Sequence, residues 1–234
     1  MKTIICNQKM YLTKDEAKVL KKEYDEIDFN GVEFVVCPSY VNFNVFDGYT
    51  LGAQNCFYED RGAYTGEVSA YDLSLRNIKY SIIGHSERRK YDTDEIVNLK
   101  VKACLKHTIT PIICIGETRL ENEMMKTSEV LKRQITKALK DITLDKLDEI
   151  IIAYEPVHKI GSGSSLTREE IEDTASYIRK VLEELKIDNY KLLYGGSVNK
   201  ENIEEISTDM IDGYLLGGAS VKKEELKNIV KCIK

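Results

Sequence analysis

The chain has 234 residues, 42% hydrophobic and 31% charged, with a formal net charge of -5, a pI near 5.5 and a mean hydropathy of -0.34. That is enough apolar material for one buried core, and the positive charge is too interleaved with Asp and Glu to suggest a nucleic-acid or anionic-membrane partner. No apolar run approaches membrane-spanning length and the first residues lack a signal-peptide core, so a cytoplasmic location is expected. Six cysteines without a C-x-x-C pair, and three histidines away from zinc-ligand spacing, predict reduced thiols and no metal site.

Short apolar, β-branched runs recur at residues 3–6, 33–37, 50–53, 80–83, 111–115, 150–154, 191–194 and 211–216. Runs that lack polar alternation suit strands buried on both faces, as in a parallel sheet. Between them, Ala17, Leu20, Tyr24 and Ile27 place an apolar stripe on one helical face, as do Leu131, Ile135, Ala138 and Ile142, and Ile171, Thr174, Ala175, Ile178, Leu182 and Leu185. Thr13 with Glu16 and Thr167 with Glu170 have the spacing of capping boxes at helix starts. Residues 39–48 are too few for a full helical layer, so an abbreviated helix or irregular crossing is expected there. No linker or low-complexity tract interrupts the alternation, so residues 1–234 read as a single α/β domain of parallel βα units. Eight units suggest a closed barrel with a shortened second βα unit, although an open doubly wound sheet shows the same alternation.

Polar or glycine-rich segments follow the strands directly. In a barrel those ends share one face, where residues remote in sequence converge. Asn7-Gln8-Lys9 follows the first strand; Lys9 can offer an ammonium to an anion or face solvent. Gly84-His85-Ser86-Glu87-Arg88-Arg89 follows the fourth, and His85 is either an acid or electrophile or a structural imidazole bonded to backbone. Glu155 ends the sixth strand after Ile150, Ile151, Ile152 and Ala153, where loss of solvent makes a carboxylate more basic; a plain strand-capping glutamate is the alternative. Pro156 through Leu166, with Gly161 and Gly163, combines stiff and permissive points as a lid does. Residues 161–166 lack both the dinucleotide fingerprint and the Lys-Ser/Thr ending of a P-loop, so no nucleotide role is assigned. Gly195-Gly196-Ser197 and Gly217-Gly218-Ala219-Ser220 follow the last two strands and suit a phosphate cradle, because glycine lets backbone amides approach an anion.

Taken in order, Cys6-Asn7-Gln8-Lys9-Met10, Gly52-Ala53-Gln54-Asn55, residues 84–89, Tyr154-Glu155-Pro156-Val157, Tyr194-Gly195-Gly196-Ser197 and Gly217-Gly218-Ala219-Ser220 resemble the triosephosphate isomerase family. The resemblance implies a TIM barrel that interconverts dihydroxyacetone phosphate and D-glyceraldehyde 3-phosphate in glycolysis and gluconeogenesis, without metal or organic cofactor. It assigns catalysis to Glu155 as base, neutral His85 as electrophile, Lys9 and Asn7. Substrate contacts are implied for Asn7, Lys9, Gly161, Ser197, Leu215, Gly217 and Gly218. Ser86, Glu87 and Tyr194 are implied as supporting residues, and the lid as Pro156, Val157, His158, Gly161 and Gly163. Residues 62–67 resemble the loop that enters a neighbouring subunit, which implies a homodimer with Thr65 at the partner's site. A non-catalytic phosphate-binding barrel, or an isomerase of another sugar phosphate, is the competing reading.

The chain departs from that family at Gln8 and His158, where Trp is usual, and at Ser164-Ser165-Leu166, where Lys-Thr-Ala is usual. The hinge Trp of the family meets a glutamate that matches Glu117. A His158–Glu117 contact is therefore expected when the lid is open or closing, one that favours imidazolium and makes lid motion pH-sensitive near neutrality.

Overall fold

The computed structural model describes residues 1–143, 149–161 and 164–234. Its strands are β1 (Lys2–Asn7), β2 (Val32–Cys37), β3 (Thr50–Ala53), β4 (Tyr80–Ile83), β5 (Thr110–Ile115), β6 (Ile150–Tyr154), β7 (Tyr190–Tyr194) and β8 (Gly213–Leu216). Neighbours in the chain pair in parallel and β8 closes on β1, which decides for the barrel over the open sheet. The helices are α1 (Lys14–Tyr24), α2 (Ala70–Leu75), α3 (Asp94–Lys106), α4 (Arg119–Glu123), α5 (Thr127–Ala138), α6 (Arg168–Glu184), α7 (Ile203–Ile206) and α8 (Lys223–Ile233).

Two cores explain the unbroken apolar runs. Ile5, Val35, Ile82, Ile112, Ile151, Ala153, Leu193 and Leu215 fill the barrel interior. Their neighbours Ile4, Val36, Ile83, Ile113, Ile152, Leu192 and Leu216 pack outward against the helices. Successive strand residues point to opposite faces, so both parities must be apolar when both faces are covered. Each such Ile or Leu contributes about 1.5–3 kcal/mol by burial.

Capping boxes start α1 at Thr13–Glu16 and α6 at Thr167–Glu170, and a third starts α4 at Thr118–Glu121. The helices are shorter than the apolar stripes: Ile27 and Ile142 fall just past α1 and α5, though Ile27 is still buried. Between β2 and β3 lies a 3-10 helix, Tyr40–Phe46, which buries Asn42, Phe43 and Phe46; this is the abbreviated second unit. Strand β8 begins two residues later than the apolar run suggests. The Asp212 side chain, not a ladder carbonyl, accepts the Leu192 amide at 2.8 Å, so regular pairing starts at Gly213.

At the N-terminal end of the barrel, inward-facing Glu33 accepts from Lys191 (2.7 Å), Thr3 (2.6 Å) and Tyr80 (2.8 Å), and Lys191 also meets Glu149 at 2.9 Å. Five side chains thus satisfy one another there. The opposite end is left for chemistry.

Candidate active site

Inward parity carried one step beyond the last apolar residue arrives at Asn7 on β1, Glu155 after β6, Gly195 after β7 and Gly217 after β8. All four line one cleft of about 390 Å³ together with Lys9, His85, Gly161, Ser197, Leu215 and Gly218. The strand-end residues singled out in the sequence as catalytic or phosphate-binding are therefore neighbours in space.

His85 reaches the cleft through a turn. Gly84, at φ +70°, takes a conformation that L side chains rarely adopt, and a Cβ there would lie 3.0 Å from Val97. His85 then caps the short 3-10 helix Ser86–Arg88, its Nδ1 accepting the Glu87 amide at 3.2 Å. An Nδ1 that accepts a hydrogen bond carries no proton, so the neutral ring presents Nε2–H. Burial disfavours a charged ring here, but the carboxylates of Glu155 and Glu87 outweigh it and raise the His85 pKa above the ordinary histidine value. The two influences oppose each other. The Glu87 amide at Nδ1 suits the neutral ring, and the two carboxylates suit the charged one.

Glu155 is 3% exposed. Its Oε1 lies 3.2 Å from His85 Nε2, and its buried Oε2 has no hydrogen-bond partner among the described residues. A Cβ on Gly195 would sit 2.7 Å from Glu155 Cγ, so that position must be glycine for the carboxylate to lie where it does. Burial first, and then the neighbouring Glu155 carboxylate, push the Cys114 thiol well up, which keeps it protonated beside that carboxylate.

Lys9, at φ +49°, extends past β1 and donates to Glu87 Oε1 at 2.7 Å. Asn7 Oδ1 accepts the Lys9 amide at 3.1 Å, and Gln54 donates to the Lys9 carbonyl at 2.8 Å. The first contact holds the ammonium and the other two hold the Lys9 backbone.

The segment from Pro156 overhangs this cleft. Val157–Lys159 forms a 3-10 turn, the Val157 amide donates to the Glu117 carbonyl (3.1 Å), and Ser197 Oγ donates to the Lys159 carbonyl (2.8 Å). At its far end the Leu166 amide donates to the Tyr194 hydroxyl at 3.1 Å. Of the lid residues, Gly163 lies outside the described residues.

His158 corrects one expectation. It does approach Glu117, Nδ1 to Oε1 3.9 Å, but this is too long for a hydrogen bond, and Nδ1 has none among the described residues. Burial, with the positive charges of Lys159 and Arg119, lowers the His158 pKa, while burial raises that of Glu117. The neutral ring is favoured here, not the imidazolium. Gln8 turns away into the shell behind β1, buried and within 3.4 Å of the Tyr24 hydroxyl. Residues 62–67, Thr65 among them, form an exposed loop that does not line the cleft.

Several residues at or behind the site carried no role in the sequence reading. Arg89 holds the His85 turn by donating to the carbonyls of Gly84 (2.8 Å) and Cys114 (3.0 Å) and to Asp94 (2.8 Å). Tyr11, Asn199 and Lys222 line the cleft mouth. Gln54 stood in a recognisable motif after β3, but nothing in the sequence shows that it reaches Lys9.

A sequence model described as triosephosphate isomerase matches residues 2–233. The triosephosphate isomerase of Dictyoglomus thermophilum is 41% identical over 245 aligned residues, covering 98% of each chain. Those of a Thermoanaerobacter species and of Clostridium perfringens are each 40% identical, with 97% of each chain covered. With a closed eightfold barrel and likeness over nearly its whole length, the chain belongs to the triosephosphate isomerase family, enzymes that interconvert triose phosphates.

Proposed function

We propose that triose phosphate interconversion runs in this chain through an enediolate, with Glu155 as the base. Glu155 takes a proton from the carbon next to the substrate carbonyl, and the bonding pair moves onto the carbonyl oxygen. The Nε2–H of His85 and the Lys9 ammonium donate to the oxygens where charge develops, and Asn7 positions them. Returning the proton to the adjacent carbon completes the isomerisation. The observation that carries this reading is the buried Glu155 carboxylate, one oxygen 3.2 Å from His85 Nε2 and the other without a partner among the described residues.

Amides of Gly161, Ser197, Gly217 and Gly218, with Leu215 packed beneath, take the phosphate. The Tyr194 and Ser197 contacts hold the lid over it, which keeps water from the enediolate. Ser86 and Glu87 support the histidine and lysine. The enzyme is a cytoplasmic homodimer whose exposed loop places Thr65 beside the partner's site. A coupled assay of glyceraldehyde 3-phosphate formation tests the assignment: activity in the wild type that collapses in Glu155→Gln supports it, and equal activity in the two overturns it.

A further inference from the structure

Away from the cleft, Cys56, in the segment that leaves β3, and Cys104, on α3, bring their sulfurs to 3.5 Å across 48 residues of sequence. Both are completely buried, and the other four cysteines are also free thiols. A disulfide needs about 2.05 Å between sulfurs, so an approach of about 1.5 Å by side-chain rotation and small shifts of the loop is required. The surroundings are polar on one side: Lys100, on the same helix as Cys104, is buried and donates to Asn55, the residue before Cys56, and to Asp92, each at 2.8 Å.

We infer that Cys56 and Cys104 are a dithiol modification site, which a peroxide of small size converts into a reversible disulfide tying the β3 loop to α3. The two thiols are not equivalent. Either sulfur can donate the hydrogen bond between them; with Cys104 as the donor, that bond and the Lys100 ammonium hold the Cys56 thiol below its ordinary value against the effect of burial. Cys104, donating that hydrogen bond from a buried position, is held well above it. Cys56 is therefore the attacking sulfur, since the thiolate is the nucleophile.

The Cys56 thiolate attacks one peroxide oxygen; an S–O bond forms, the O–O bond breaks, and hydroxide takes the proton that the thiol gave up. Cys104 then attacks the sulfenic sulfur; the S–S bond forms, the S–O bond breaks, and the Cys104 proton leaves with the hydroxyl as water. Two thiols lose two electrons and two protons, and one hydrogen peroxide becomes two waters. Because neither sulfur meets solvent, the reaction waits on local opening of the segment after β3, so it is slow relative to an exposed thiol.

The full chain is treated with hydrogen peroxide, its remaining thiols are blocked with N-ethylmaleimide, and it is digested with trypsin. The expected product joins residues 103–106 to residues 23–61, is lighter by two hydrogens than the two peptides together, and separates with dithiothreitol. Fragmentation must assign the bond to Cys56 and not to Cys37, which lies in the same peptide. In Cys104→Ser the cross-link is absent and Cys56 becomes labelled by dimedone as a sulfenic acid. Oxidised wild type melts at a higher temperature than reduced wild type, and peroxide leaves the Tm of Cys104→Ser unraised. Two thiols that stay alkylatable after unfolding, a bond through Cys37, or no dimedone label at Cys56 in folded Cys104→Ser would each overturn the inference.

Discussion

Oε1 of Glu155 lies 3.2 Å from Nε2 of His85, although the two residues are carried by strands that are not neighbours in the barrel. Removing the base while keeping the shape, as in Glu155→Gln, is expected to lower kcat by about a hundred- to ten-thousand-fold. Glu155→Asp withdraws the carboxylate by one methylene and falls between. Steady-state rates in both directions measure this, and a Glu155→Gln enzyme within a factor of about three of wild type would sink the base assignment.

Lys9 and Glu87 form an ion pair whose acid side chain is 57% exposed. Solvent screening limits such a pair to about 0–1 kcal/mol of stability. Lys9→Met should therefore leave the urea midpoint almost unchanged while raising KM and lowering kcat together. A variant that loses stability but keeps kcat/KM would make Lys9 structural.

The Tyr194 hydroxyl accepts the Leu166 amide where the lid rejoins the chain, and Tyr194 is fully buried. Tyr194→Phe leaves that amide without its acceptor at a cost of about 1–3 kcal/mol. Urea unfolding should show the loss, and lid relaxation followed by a fluorescent label should quicken. Unchanged lid kinetics would confine Tyr194 to packing.

His158 has a lowered pKa in the folded chain, so unfolded chain binds a proton more readily. The linked stability is present above the unfolded histidine value of about 6.5 and is lost as pH falls through it toward the folded pKa. Between about pH 7.5 and about pH 5.5 the wild type should lose more stability than His158→Gln. Parallel stability curves for the two proteins would contradict the neutral assignment.

Thr65 sits in an exposed loop away from the cleft of its own chain. Sedimentation should give a dimer for the wild type. Thr65→Glu should shift the equilibrium toward monomer and reduce kcat in step with dissociation. A wild-type monomer with full activity would refute the assembly.

The apolar runs of β1, β6, β7 and β8 were legible because residues covered on both faces must all be apolar, while the fold set which parity faces the barrel interior. Continuing that parity sends Asn7, Glu155, Gly195 and Gly217 into the same space. The capping boxes of α1 and α6 were equally local, since three residues suffice to satisfy the first amides of a helix. Residues 84–89 and the final glycine turns carried the family likeness before any geometry was known.

Tertiary structure alone decided what depended on distance between segments. Closure of β8 on β1 chose the barrel, because an open sheet needs the same local pattern. Gln54 reaching Lys9, Arg89 bracing the His85 turn and Cys56 meeting Cys104 each join separate loops or helices, and no periodicity records such contacts. The charge of His158 was misjudged for the same reason. The family likeness at the hinge suggests an ion pair between His158 and Glu117, but burial and the nearby Lys159 and Arg119, set by the fold, favour the neutral ring.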